Sequence, residues 1–157
     1  MHPNHPSPPA PRAATWPLDG RRETPARARE LACAFLDQCS SPLTGAGRAD
    51  VLLALSELVT NAVRHAPGPC TLTLTEHTDS LTVAVRDGST APPVPRPPDL
   101  MAGTGGFGWH LLRTLSEEVE IRRHQDGKTV AVRVPARRAT GRTAAPDGAP
   151  LPADGRP

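Results

Sequence analysis

The sequence predicts an α+β fold, a two-layer sandwich in which helices cover one face of a mainly antiparallel, mixed sheet. Three observations support this prediction. Two segments in the first half carry apolar residues at helical spacing, two later pairs of segments alternate as strands do, and a glycine-rich loop leads into a third helical segment between those pairs. Strands joined by short turns pair as antiparallel hairpins, and helices with one apolar face pack on such a sheet.

The composition limits the folded region to one small domain. The chain has 157 residues, and twelve of its 20 prolines lie at or before Pro25 or at or after Pro135. Both ends also lack apolar periodicity. We therefore expect residues 1–23 to be a disordered Pro-rich tail, residues 24–135 to be the folded domain, and residues 136–157 to be a second disordered tail.

Charge and cysteine content argue against several classes of protein. The net charge of +2 comes from the tails, because residues 25–135 contain eleven Lys or Arg and twelve Asp or Glu. Specific nucleic-acid binding is not expected, since it requires positive charge on the folded domain. The three cysteines have no spacing typical of a zinc site or a disulfide framework. No run approaches the ~20 apolar residues of a membrane span, and we expect a cytoplasmic protein without membrane contact.

The first predicted elements are an edge strand and a helix. Trp16–Leu18 form a short apolar segment that we assign to the strand. Thr24 is expected to cap a helix whose first position is Pro25 and whose apolar stripe runs to about Cys39. A loop rich in Ser, Pro and Gly is expected over residues 40–47.

The organising element is a predicted helix over residues 50–66, with Asp50 as its N-cap. Its apolar residues recur at helical spacing and predict a core-facing surface: Val51, Leu52, Leu55, Leu58, Val59, Ala62 and Val63. Glu57, Asn61 and His65 align on a second stripe, because they are four residues apart. A carboxylate and a carboxamide one turn apart can hold a hard cation or a water. The alternative is a solvated helix face with chance spacing.

Four strands are predicted as two hairpins. Residues 70–77 and 81–87 alternate apolar and polar positions and pair with each other. Residues 119–124 and 128–134 form the second hairpin, with Asp126-Gly127 as its turn.

The segment between the hairpins combines prolines and glycines. Residues 90–102 contain five prolines and predict an irregular loop, either a lid or plain surface. Residues 103–108 read GTGGFG and enter a helix marked by Leu111, Leu112, Leu115 and Val119. Glycines before a helix allow close approach of a ligand, and the free N–H groups favour an anion. The Rossmann and Walker A patterns do not fit, and a hinge without ligand is the alternative.

The order of these pieces resembles the Bergerat-type ATP-binding fold of histidine-kinase catalytic domains, type II topoisomerases, mismatch-repair ATPases and a heat-shock chaperone. The short layout is most similar to the anti-sigma-factor serine kinases, over about residues 24–134. In the N box, ELVTNAVRHA, the resemblance implies that Asn61 coordinates magnesium and that Glu57 either is the general base or positions a water or hydroxyl. Arg64 and His65 match in residue type and are implied to face phosphate.

The other boxes carry the nucleotide-binding roles that the resemblance implies. In the G1 box, VRDGS, Asp87 would accept a hydrogen bond from the adenine amino group, with Gly88 beside it and Ser89 where a glycine is usual. In the last strand, Thr129 would back the adenine pocket. Trp109 and His110 depart from the usual small or aliphatic residues. The glycines of the G2 box would bind the phosphates: Gly103, Gly105, Gly106 and Gly108.

The function implied is an ATP- and Mg²⁺-dependent regulatory protein kinase. It would phosphorylate a serine of an anti-sigma-factor antagonist protein and bind a sigma factor, and the family implies a homodimer. Ser89 with the Trp109-His110 pair supports an alternative, a non-enzymatic nucleotide-sensing or partner-binding module. A detached histidine-kinase catalytic domain is the third alternative. It would need a phosphoacceptor histidine in trans.

Overall fold

The structure, a computed structural model, describes residues 10–91 and 107–137. In these residues three helices and five strands follow one another in chain order: β1 Ala13–Leu18, α1 Thr24–Leu36, α2 Gly45–His65, β2 Cys70–Glu76, β3 Ser80–Asp87, α3 Phe107–Leu115, β4 Glu118–His124 and β5 Gly127–Pro135. The Pro-rich loop, the first three G2 glycines and the outer parts of both tails lie outside the described residues. None of the described helices is long and apolar enough to cross a membrane.

The five strands form one sheet in the order β1-β2-β3-β5-β4, and every neighbouring pair among them is antiparallel. The predicted α+β class is confirmed. The two predicted hairpins are β2-β3 and β4-β5, and β3 pairs with β5 to join them. β1 and β4 are the edges of this described sheet.

The core lies between the sheet and the helices, because the strands alternate between a buried and an open face. Leu72 and Leu74 of β2, Val83 of β3 and Val132 of β5 face the helices and are buried. Leu55 of α2 is fully buried against them. Each such side chain contributes roughly 1.5–3 kcal/mol by leaving water, so the periodicities of strand and helix together specify this packing.

α2 begins five residues before the predicted start, and Asp50 is not its N-cap. Thr44 has an extended backbone, and its hydroxyl accepts a hydrogen bond from the Gly47 N–H at 3.0 Å. A Cβ on Gly47 would come within 2.8 Å of the Arg137 carbonyl oxygen. The segment after β5 therefore packs on the first turn of α2, where Arg137 Nε lies 3.5 Å from Asp50 Oδ2.

The folded part of the chain begins earlier than residue 24, because all of Ala13–Leu18 pairs with β2. Trp16 of this strand packs edge-on against Phe35, with ring centroids 6.1 Å apart. α1 also differs from its predicted bounds. Its N-cap residue is Glu23, without a side-chain cap, while the Thr24 hydroxyl donates to Asp19 Oδ1 at 2.7 Å. The helix ends at Leu36 rather than near Cys39.

Two boundaries in the C-terminal half also need correction. Val119 lies on β4, not on the preceding helix, which ends at Leu115. His124 pairs with Gly127, so the turn residues of the second hairpin are Gln125 and Asp126. Gly127 is the first residue of β5.

Candidate functional site

One end of the sheet gathers the residues that the G1 box and the last strand contribute. Asp87 ends β3 and pairs with Lys128, the second residue of β5. Cys70 begins β2 beside them, and α2 ends at His65, only a short loop away from Cys70. The C-terminal half of α2 therefore runs towards the same end of the sheet as Asp87.

Asp87 and Lys128 form a buried ion pair. Each is 6% exposed, and Lys128 Nζ lies 2.9 Å from Asp87 Oδ1. The Ser89 backbone N–H donates to the same oxygen at 2.9 Å, and Lys128 Nζ also lies 3.5 Å from the Ser89 carbonyl oxygen. A buried charge requires a partner of opposite sign and hydrogen bonds, and this cluster supplies both.

Glycine brings the two strand ends together. Gly127 has φ +154°, and a Cβ there would lie 2.0 Å from the Asp87 carbonyl oxygen. Only a residue without a side chain allows β5 to start so close to the end of β3. Gly88 differs, because it is exposed and a Cβ on it would meet nothing within 4 Å. The turn after β3 is closed instead by the Ser89 N–H.

Glu57 and Asn61 are half-buried on the stripe of α2 predicted from the sequence. A Cβ on Gly108 would lie 2.2 Å from Glu57 Oε2, so the Glu57 carboxylate lies directly against the backbone of α3's first turn. The first N–H groups of a helix have no partner within it, and they carry the positive end of its dipole. The structure therefore brings the predicted carboxylate and the last glycine of the G2 box into contact.

Arg64 and His65 occupy the last turn of α2 and are exposed. They are seven and eight residues after Glu57, so they lie on the same side of the helix. Their cationic or polar side chains are open to an anionic ligand on that side.

Thr129 is not part of this site. Its side chain lies on the open face of the sheet, where its hydroxyl is 2.9 Å from His124 Nε2, and Asp87 faces the helices. The prediction that Thr129 backs an adenine pocket beside Asp87 is wrong, because side chains alternate along β5 and Lys128 takes the inward position.

Lys128 was not predicted as a site residue, although the sequence pattern around it indicates an inward-facing position. Lys128 is in phase with Val130, Val132 and Val134, which are all buried. A lysine at an inward position of a strand requires a buried acidic partner. That signal could have directed attention to Asp87.

Two further residues of interest have structural roles. Trp109 stands at a position where small or aliphatic residues are usual in the resembling family. Its side chain is partly buried and packs against the hydrophobic core. Burial raises the pKa of the Cys70 thiol, and the charges of Asp87 and Asp19 raise it further. A buried thiol with a raised pKa is unreactive, and Cys70 is a free cysteine.

The chemistry available is that of a site for an anion and a nitrogenous base. Asn61 and Glu57 offer hard oxygen ligands, the first turn of α3 offers N–H donors, and Asp87 offers a buried acceptor. The described residues contain no group of three or more His, Cys, Asp or Glu that could hold a metal ion. A divalent cation would therefore depend on Asn61 together with oxygens of the ligand and water.

This layout is that of a nucleotide-binding ATPase domain of the α+β class. The chain belongs to the family of the histidine kinase-like ATPase domain, whose model matches residues 21–134. Domains of this family bind ATP. No curated protein matches the chain.

A solved structure with a TM-score above 0.5 supports this fold. The RsbU and RsbW domains of Rv1364c from Mycobacterium tuberculosis match with a TM-score of 0.56 and 19% identity, over 83% of this chain and 34% of that one. The histidine kinase domain from Erythrobacter litoralis EL346 blue-light activated histidine kinase matches with a TM-score of 0.45 and 20% identity, over 71% and 60%. The chain thus spans about a third of the length of the first structure.

Proposed function

We propose that this protein is a regulatory protein kinase of the anti-sigma-factor type, which transfers the γ-phosphate of Mg-ATP to a serine or threonine of an antagonist protein. The observation that carries the proposal is the contact of the Glu57 carboxylate with the first turn of α3, one helical turn from Asn61. A proton acceptor and a cation ligand then lie beside the N–H groups that would hold the phosphates.

The residues present fit a magnesium–nucleotide complex. Asp87 Oδ1 accepts hydrogen bonds from the Ser89 N–H and from Lys128 Nζ, and within residues 10–91 and 107–137 no group donates to Oδ2. Oδ2 can therefore accept from an amino group of the base. No described residue bonds the Asn61 carboxamide, which leaves its oxygen for a cation. Bound Mg²⁺ would neutralise charge that develops on the phosphates.

We assign the roles of the other site residues from their positions around the proposed phosphate site. Glu57 would accept the proton of the substrate hydroxyl as that hydroxyl attacks the γ-phosphate in line. Gly108 and the first turn of α3 would bind phosphate oxygens through backbone N–H groups. Arg64 and His65 would add donors from α2. Gly103, Gly105 and Gly106 remain phosphate-binding residues by resemblance, outside the described part of the chain.

Calorimetric titration tests nucleotide binding. Mg-ATP and Mg-ADP are titrated into the wild type, Asn61→Ala and Asp87→Ala. We expect magnesium-dependent binding in the wild type, a loss of about tenfold or more in Asp87→Ala, as for a hydrogen bond to a charged group, and loss of the magnesium effect in Asn61→Ala. Absence of binding in the wild type would refute an ATP-dependent function.

Transfer of labelled phosphate tests the kinase step. Mg-[γ-³²P]ATP is incubated with the protein and a panel of purified anti-sigma-factor antagonists, with Glu57→Gln as the matched variant. We expect phosphoserine or phosphothreonine on an antagonist, and a rate at least about 10²-fold lower in Glu57→Gln, within the range for loss of a general base. Acid-labile phosphate on histidine would instead indicate a histidine kinase domain acting in trans.

The partner class rests on the resemblance of the three boxes. We include a sigma factor as the second partner and homodimerisation as the working assembly, and both can be tested by co-purification and light scattering. A cytoplasmic location accords with these partners.

A non-enzymatic nucleotide-sensing or partner-binding module is the second candidate, favoured by one specific observation. Asp87 is already paired with Lys128, so a base must share this carboxylate with a buried cation. If partner binding is the whole function, Glu57→Gln will bind the antagonist and the sigma factor as the wild type does and will retain full regulatory activity in cells. A kinase would lose that activity.

A further inference from the structure

Lys128 is a buried charged residue to which the proposed mechanism gives no role. It is also the only lysine in the sequence. Its ammonium group reaches from β5 to the end of β3, 2.9 Å from Asp87 Oδ1 and 3.5 Å from the Ser89 carbonyl oxygen. Lys128 therefore contacts both the acidic residue of the site and the turn that follows it.

These contacts fix the orientation of the Asp87 carboxylate. Oδ1 accepts from Lys128 and from the Ser89 N–H, so rotation about the side chain would break two hydrogen bonds at once. Bonds to ionised groups are stronger than neutral ones, and burial limits competition from water. Oδ2, with no partner among the described residues, is held in one direction as the acceptor that remains.

A fixed, negatively charged acceptor distinguishes purines at their 6-position. An amino group there donates a hydrogen bond to the carboxylate, a hydrogen atom leaves the acceptor unpaired, and a carbonyl oxygen brings two acceptors together. A site built around a hydrogen bond rejects analogues that lack the donor, because its polar group is then left unpaired.

We propose that Lys128 is a positioning residue for the nucleobase, and that it makes the site selective for 6-aminopurine nucleotides by holding Asp87 Oδ1 and presenting Oδ2. The inference rests on the proposed nucleotide site. It adds a residue on β5 to the recognition of the base. Lys128 acts through Asp87 and through the turn at Ser89.

Base selectivity provides the first test. The affinities of ATP, purine-riboside triphosphate and GTP are compared in the wild type, Lys128→Met and Arg86→Met. Arg86 is a matched control, because it neighbours Asp87 on β3 but pairs with Asp126 on the open face of the sheet. In the wild type and in Arg86→Met, we expect ATP to bind at least about tenfold more tightly than purine-riboside triphosphate. In Lys128→Met the ratio should fall to about twofold or less, because an unfixed acceptor discriminates poorly.

A spectroscopic test covers the case in which Lys128→Met does not fold. Since the chain contains one lysine, selective isotopic labelling of lysine gives one side-chain NMR signal. Titration of the wild type with ATP should shift that signal, and purine-riboside triphosphate at the same saturation should shift it less.

The outcomes separate this inference from the proposed function. Wild-type selectivity that is retained in a folded Lys128→Met variant, or a lysine signal that responds equally to both nucleotides, would overturn the role of Lys128. Equal affinity of the wild type for ATP and purine-riboside triphosphate would overturn it too, yet leave ATP-dependent function intact. Absence of any nucleotide binding would refute both the role of Lys128 and the proposed ATP-dependent function.

Discussion

Lys128→Met should be strongly destabilising because it leaves the Asp87 carboxylate buried without its cation. The two side chains are only 8% and 5% exposed and are joined at 2.9 Å. Removing one partner of such a pair costs about 3–5 kcal/mol. Domains of this size have total stabilities of about 5–15 kcal/mol, so the variant should retain a folded state with a much lower midpoint of unfolding.

A double-mutant cycle separates the free energy lost with the ion pair from the cost of leaving the Asp87 charge buried without its partner. Replacing both residues, in Asp87→Asn with Lys128→Met, removes the buried charges together and should recover most of the lost stability, because neutral replacement of a buried pair is often tolerated. Urea unfolding of the wild type, both single variants and the double variant gives the coupling free energy. We expect a coupling of about 2–3 kcal/mol, at the upper end for residues in direct contact.

The result that refutes this reasoning is additivity. If the double variant loses the sum of the two single losses, Asp87 and Lys128 are not coupled, and the ion pair does not stabilise this end of the sheet. A change in the slope of unfolding with urea would signal an altered denatured state, and only variants with equal slopes enter the cycle.

Three further predictions follow from individual contacts. Gly108→Ala places a methyl group 2.2 Å from Glu57 Oε2; displacing the carboxylate should lower the phosphate-transfer rate by about 10²-fold, while calorimetry shows ATP affinity changed by much less. Thr44→Ala removes the cap of α2 and should cost about 0.5–2 kcal/mol, measured by thermal unfolding. The Asp19 carboxyl has a pKa below its ordinary value because the Thr24 hydroxyl donates to it. The stability linked to this lowered pKa is present above the unfolded-state pKa and is lost as pH falls through the folded-state pKa, and an NMR titration of Thr24→Val should show the pKa returning upwards.

Each of these predictions has its own control. Gly45→Ala is a second helical glycine substitution, at a position where a Cβ meets nothing within 4 Å, and it should leave phosphate transfer unchanged. Thr44→Ser keeps a hydroxyl cap and should retain most of the stability. An Asp19 pKa that is the same in Thr24→Val as in the wild type would show that the hydroxyl is not the cause.

Some boundaries were not predictable because two local signals competed. Thr44 and Asp50 are both good helix caps, and the contact of Gly47 with Arg137, from the other end of the domain, accompanies the earlier start. β1 is longer than its apolar segment suggests. It includes Pro17, which lacks an N–H and is tolerated in an edge strand.

The candidate site likewise contains residues whose positions were predictable from the sequence and residues whose positions were not. Glu57 and Asn61 were predictable as neighbours, since helical spacing fixes side chains one turn apart. Thr129 was assigned through the box pattern, but strand alternation directs it to the open face. Lys128 left a signal in its phase with the buried valines, yet its partner became visible only from the register of β3 with β5.

The sequence by itself therefore determined the α+β class, the two hairpins, the stripe on α2 and the residue types of the boxes. These features depend on periodicity and turn chemistry, which act over a few neighbouring residues. Only the tertiary structure decided that Asp87 pairs with Lys128, 41 residues further along the chain, and that Glu57 contacts Gly108 on another helix. Such contacts arise when separate elements bury their apolar faces together, and no local pattern records which polar groups that packing brings into reach.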